Sequence, residues 1–181
     1  MHFLAPIASL LLGVALLLLG GGLLGTLLAV QGPERGFSDA VVGVVMSGYF
    51  VGFFLGTFLA PGVIRRIGHI RAFALFAALA TCAVLLHAML VSPAWWFVLR
   101  VVTGIALVAL YTVIESWLSA RSAPAERGRV FAVYMAVTLA ALAAGQHLLR
   151  LDDGGMLLFA LVALLVCAAM IPITLTRQTQ P

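Results

Sequence analysis

Arg100 and Glu115 stand inside one long apolar run, Trp95 to Leu118, where an ionisable group costs about 2.5–3.5 kcal/mol even on the lenient insertion scale. Each therefore needs a physical reason. At about 100° per residue of α-helix, Arg100, Thr103, Tyr111 and Glu115 fall within about 60° of one line and form a polar stripe on one face. Arg100 and Glu115 are fifteen positions apart, about 22 Å along a helix, and do not neutralise each other. Two chemistries are open for Arg100: a structural guanidinium reaching toward the interface, or a cation that holds an anionic group or couples to a proton. For Glu115 the alternatives are an ion pair with Arg65, Arg66, Arg71 or Arg121 and a proton-carrying site. His87, Gln146 and His147 read as satisfied or interfacial polar groups.

Catalytic constellations are missing from the sequence. It has no His-Glu-x-x-His pair, no Gly-x-Ser-x-Gly elbow, no phosphate-cradling glycine loop and no lysine for a Schiff base. Cys82 and Cys167 each lie in an apolar run without a partner at metal spacing, so both read as small packing residues and no metal or cofactor is expected. The ten basic residues are all arginine and are scattered between apolar runs. No basic stripe with interleaved aromatics offers a surface to nucleic acid.

The elements that must position the polar stripe follow from composition. Of the 181 residues 64% are hydrophobic and 9% charged, with a mean hydropathy of +1.21, whereas soluble domains carry roughly 25% charged residues. The solvent for this chain is a lipid bilayer. Crossing it takes about 20 apolar residues, and six stretches qualify: 5–31, 37–63, 72–91, 95–118, 130–149 and 156–175. The first lacks the basic start of a signal peptide and reads as a retained helix. Arg65, Arg66, Arg71, Arg121, Arg127, Arg129 and Arg177 fall on one side of the six spans, against only Arg35 and Arg150 on the other. Positive loops stay inside, which places both termini in the cytoplasm, and Glu34, Asp39, Asp152 and Asp153 collect on the outer side.

Lipid gives no hydrophobic drive for helices to associate, so close packing depends on small residues one turn apart. Span 2 has Gly48, Gly52 and Gly56; span 5 has Ala132, Ala136, Ala140 and Ala144. A shift of 92 residues superposes Gly48 on Ala140 and Gly52 on Ala144, with Gly36 on Gly128. Spans 1–3 and 4–6 are therefore expected to be related units of inverted topology, an arrangement recurrent in transporters. Span 4 is expected to face a cavity, while spans 3 and 6 face lipid or packing partners.

Three segments carry a resemblance. Arg66, Gly68 and Arg71 in Arg65-Arg66-Ile67-Gly68-His69-Ile70-Arg71 resemble the loop signature of the major facilitator superfamily between helices 2 and 3. Arg100 followed four residues on by Gly104 is similar to that family's second signature, and Glu115-Ser116-Trp117 through Arg129 is similar to its passage from helix 4 to helix 5. The resemblance covers essentially the whole chain. It implies an all-α integral membrane domain, residues 1–181, built as the N-terminal six-helix half of a twelve-helix transporter, a 3+3 inverted repeat. Arg65 stands where the loop signature has Asp, and Pro61 where it has Gly. Glu115 is expected to supply the missing carboxylate to Arg65 or Arg66. The fifth helix lacks the Gly-Pro pattern of the antiporter branch.

The reading that results is secondary transport of a small solute in a bacterial plasma membrane. Arg100, Thr103, Tyr111 and Glu115 line the path, and Arg65, Arg66, Gly68 and Arg71 gate its cytoplasmic side. Thr174 to Pro181 reads as the start of a central linker, leading to a C-terminal half; alternatively two copies pair through the small-residue faces of spans 2 and 5. The competing reading is a membrane remnant or assembly partner that uses the same helices only for packing.

Overall fold

A computed structural model of the chain describes residues 7–151 and 155–174. It consists of helices α1 (Ala8–Glu34), α2 (Asp39–Ile67), α3 (His69–Met89), α4 (Pro93–Arg121) and α5 (Arg127–His147), followed by a 3-10 turn (Leu148–Leu151), α6 (Met156–Ala168) and α7 (Met170–Thr174). Six helical segments among the described residues are long and apolar enough to cross a membrane, the last combining α6 and α7. Asp152, Asp153 and Arg177, and the expected linker beyond Thr174, lie outside the described residues, as do Ala5 and Pro6 of the first expected span.

Local chemistry sets the helix ends. The Ser38 hydroxyl accepts from the Val41 N–H at 3.4 Å and the Ser92 hydroxyl from Trp95 at 3.3 Å. Pro93 sits at the first position of α4, where its missing N–H has no helical role. The sixth span, Met156–Ile173, carries a single-residue break at Ala169. Pro172 has no N–H to give the carbonyl four residues back, and its ring crowds that carbonyl, so α6 stops at Ala168 and a short α7 resumes after Ala169. The expected loop between spans 2 and 3 is also shorter than 64–71 suggests. Arg65 and Arg66 complete the last turn of α2, where cations oppose the negative end of the helix dipole. Only Gly68 breaks the helix. Its φ of 83° lies in the left-handed region that a side chain disfavours, and α3 begins at His69.

Two helix pairs dominate the packing, α2 on α4 and α1 on α5. In each pair the contact is reciprocal. A Cβ on Gly52 would collide with the Val101 carbonyl oxygen, and one on Gly104 with the Tyr49 carbonyl oxygen. In the other pair Gly145 meets the Leu19 carbonyl and Gly22 the Leu142 carbonyl in the same way. On all four helices the carbonyl lies three residues before the glycine, so each crossing has local two-fold character. Gly48 and Gly56 extend the first crossing, the former against the Phe97 carbonyl and the latter against Ile105.

The crossings define the internal repeat. Gly104 lies 82 residues after Gly22 and Val101 82 after Leu19, whereas Gly145 lies 93 after Gly52 and Leu142 93 after Tyr49. No single shift relates the two halves, because the stretch from Gly104 to Gly145 is longer than that from Gly22 to Gly52 by eleven residues, which is about three helical turns. The shift of 92 is thus one residue short for α5. One residue is about 100° of rotation, and the row Ala132, Ala136, Ala140, Ala144 accordingly lies on an exposed face. The packing face of α5 carries Tyr134, Ala141 and Gly145 instead.

In this arrangement α4 and α1 are the most enclosed spans, 61% and 56% buried over their most apolar windows, against 22% for α2 and α5. Yet α1 and α4 barely touch each other. They stand on either side of a space that α2 and α5 flank.

Gly52→Ala and Gly104→Ala are each expected to lower the thermal midpoint in detergent, by an amount equivalent to about 1–3 kcal/mol of overpacking. Gly25→Ala is the control, because a Cβ there meets no atom within 4 Å. Equal midpoints for the three variants would show that the crossings are not close-packed.

Candidate functional site

The space between α1 and α4 is a cavity of about 310 Å³ lined by Gly21 and Leu24 of α1, Met46, Tyr49 and Phe50 of α2, Arg100, Leu107 and Tyr111 of α4, and Leu142 of α5. Helices α3 and α6 contribute nothing to it. A larger groove of about 560 Å³ between the starts of α2 and α4 is lined only by apolar residues, from Ala40 to Val98, and offers no group to orient a solute.

Arg100 is 7% exposed. Its guanidinium carbon sits 4.8 Å from the centre of the Tyr49 ring, a cation–π contact, and its Nε has no hydrogen-bond partner. Tyr49 is brought to it by the glycine crossing: the residue whose carbonyl Gly104 touches is the residue whose ring lies under the guanidinium. The ring of Phe53 lies 5.9 Å from that of Tyr49 and 6.3 Å from that of Tyr111. Further along the bundle the Tyr134 hydroxyl of α5 donates to the Glu115 carboxylate at 3.0 Å. All three tyrosines of the chain thus follow one line from Arg100 to Glu115.

Of the four residues expected on the path, the structure brings two to the cavity, Arg100 and Tyr111. Thr103 does not reach it. Its hydroxyl donates to the Arg100 carbonyl at 2.9 Å, and it lines an adjoining void of about 20 Å³ that also touches α1, α3 and α6 and shares Gly21, Leu24 and Leu107 with the cavity wall. The 60° window admits this error, because Thr103 is displaced to one side of the Arg100 line and Tyr111 and Glu115 to the other. Glu115 lies beyond the cavity, exposed and held by Tyr134. Among the described residues no ion pair joins Glu115 to Arg65 or Arg66, and the carboxylate acceptor expected to serve those arginines serves a phenol.

Gly68 is the hinge at that end of the bundle, with exposed Arg65, Arg66 and Arg71 around it. Next to Gly68, the His69 Nε2 and the Ser116 hydroxyl are 3.2 Å apart, and the His69 and Phe73 rings pack beside Trp117. These contacts tie the start of α3 to the end of α4. Tyr49, Tyr134 and the His69–Ser116 pair escaped the sequence reading. For Tyr49 a signal existed, since it is a polar aromatic beside Gly48 in a span whose glycines mark a close crossing.

The chain matches the family model described as Major Facilitator Superfamily over residues 10–178. It belongs to the major facilitator superfamily. Curated relatives agree: it is 34% identical over 175 residues to the uncharacterized MFS-type transporter YcaD of Escherichia coli O6:K15:H31 (strain 536), and equally to YcaD of strains E24377A and K12 DH10B. Each alignment covers 95% of this chain and 45% of the relative, so the chain spans about half the length of the curated relatives it matches. As a member of this transporter family with six apolar spans it is an integral membrane protein.

A double-mutant cycle on Glu115→Gln and Tyr134→Phe is expected to show a coupling of about 0.6 kcal/mol in unfolding free energy, the average for side-chain hydrogen bonds in membrane bundles. The cycle on Glu115→Gln and Arg66→Gln should be additive within about 0.3–0.5 kcal/mol. Coupling in the second cycle and none in the first would restore the Glu115–Arg66 pair.

Proposed function

We propose that this chain forms one half of the solute path of a secondary transporter that works by alternating access in a bacterial plasma membrane. The observation that carries the reading is the cavity between α1 and α4, which combines an apolar wall with one buried cation and two phenols. Ligand sites are commonly of this kind, an apolar enclosure with a few convergent polar groups. Inverted repeats place such sites at the repeat interface, and rocking of one unit against another exposes them to each side in turn. Both termini face the cytoplasm, by the excess of arginine at the Arg65–Arg71 end and in the α4–α5 connection.

In this reading Arg100, Tyr49 and Tyr111 contact the solute, and the Gly68 hinge with Arg65, Arg66 and Arg71 gates the inner side. Glu115 acts from the inner end through Tyr134. The exposed faces of α2 and α5, with Phe50, Phe54 and Phe58 on the first and Met135 and Leu139 on the second, meet the other half of the path. That half is either the remainder of a longer polypeptide or a second copy of this one.

Thiol accessibility tests the reading. In a background without Cys82 and Cys167, Met46→Cys and Leu142→Cys are expected to react with a charged, water-soluble thiol reagent. Leu79→Cys, on the exposed face of α3, should resist it. Arg66→Cys should react only from the cytoplasmic side. Cavity positions as inert as Leu79→Cys would remove the aqueous path, and labelling of Arg66→Cys from outside alone would invert the topology.

A further inference from the structure

We infer that the cavity binds a small organic monoanion, a carboxylate with an apolar or aromatic body, with its carboxylate on Arg100; this rests on the reading of the cavity as a solute site. Arg100 is 7% exposed as a whole residue and lines the cavity. Among the described residues it has no hydrogen-bond acceptor and no acidic partner, only the Tyr49 ring. A ring face attracts a cation but is not a counter-charge. A largely buried guanidinium with its Nε unpaired is costly, and the cost is relieved by an oxyanion that takes two parallel N–H bonds. No described acidic residue lines the cavity, so the protein does not supply that oxyanion itself.

The rest of the wall narrows the class. One cation lines the cavity, so a monoanion leaves the site neutral, whereas a phosphate dianion leaves a surplus negative charge among apolar groups. Leu24, Met46, Phe50, Leu107 and Leu142 give a bare inorganic anion nothing to hold and give a hydrocarbon body a dry contact. At about 310 Å³ the space equals that of about ten waters, room for a ring and its carboxylate with water to spare. The Tyr49 and Tyr111 hydroxyls interact with each other and line the same cavity, so a second carboxylate oxygen meets them as a pair.

The test uses the full natural gene product, purified in detergent, with four probes: benzoate, benzamide, benzyltrimethylammonium and inorganic phosphate. Benzoate is expected to raise the melting midpoint saturably, as a ligand of the folded state does, while the other three do not. Arg100→Lys should weaken the benzoate response roughly tenfold or more, the worth of one charge-assisted hydrogen bond, and Arg100→Gln should abolish it. If the Arg100 variants fail to fold, the unmodified protein decides: benzoate, but not benzamide, should slow phenylglyoxal modification of Arg100, read by peptide mass. An equal or larger effect of benzamide or the quaternary ammonium overturns the anion class and leaves the solute site standing. No effect of benzoate in either assay overturns it as well. In that case thiol reactivity at Met46→Cys decides separately whether the cavity is a solute site at all.

Discussion

The bundle depends on four glycines that let backbones touch. In lipid nothing resembling the hydrophobic effect pulls helices together, and what remains is van der Waals contact at short range with a few hydrogen bonds. Gly52 against Val101, Gly104 against Tyr49, Gly145 against Leu19 and Gly22 against Leu142 bring each pair of helices to a separation that any Cβ would forbid. Because each contact is returned by its partner, the pair is locked in register as well as in distance. A slide of one residue along α2, α4 or α5 would put a larger side chain under a carbonyl.

The cavity is a consequence of that pairing. The crossings bind α2 to α4 and α5 to α1, and they leave α1 and α4 facing each other with little contact. The break between α2 and α3 is confined to the single residue Gly68, where two long helices meet with a left-handed φ. The inverted relation of the halves follows from the same contacts, since both crossings join one half to the other and the α2–α4 crossing maps onto the α5–α1 crossing with the roles of the helices exchanged. The offsets of 82 and 93 differ by about three whole turns, so the second half is longer without rotating its packing face.

Among the described residues Arg100 is the one arginine whose buried side chain leaves a polar atom unpartnered, along with His87 Nε2, Trp117 Nε1 and Thr138 Oγ1. The Trp96 indole N–H donates to the His87 carbonyl at 3.0 Å, and the Thr26, Thr81 and Thr112 hydroxyls donate to carbonyls four residues back in their own helices. The guanidinium rests on an aromatic face and is otherwise unspent. Polar groups are kept in membranes for use, and the site that holds this one is also the only place where α1, α2, α4 and α5 jointly bound a space among the cavities described above. Family membership agrees with that reading at the level of the fold, and the identity of the solute rests on the chemistry of this wall.

Some of this was legible in the residues alone. The membrane class, the six spans and the helix bearing the buried charge are one-dimensional properties: they depend on how apolar a stretch is and where its breaks lie, and neighbours in sequence decide them. Even the glycine row of α2 was readable, because spacing by one turn is local. The tertiary structure decided what depends on rotation about a helix axis and on partners far along the chain. It set Thr103 beside a neighbouring void and Tyr49 in the cavity wall, put the alanine row of α5 on the outside one residue from the true packing face, and brought the Tyr134 hydroxyl to Glu115. At about 100° per residue a single step moves a side chain from one neighbour to another. No local pattern fixes that angle; only the contact with another helix does.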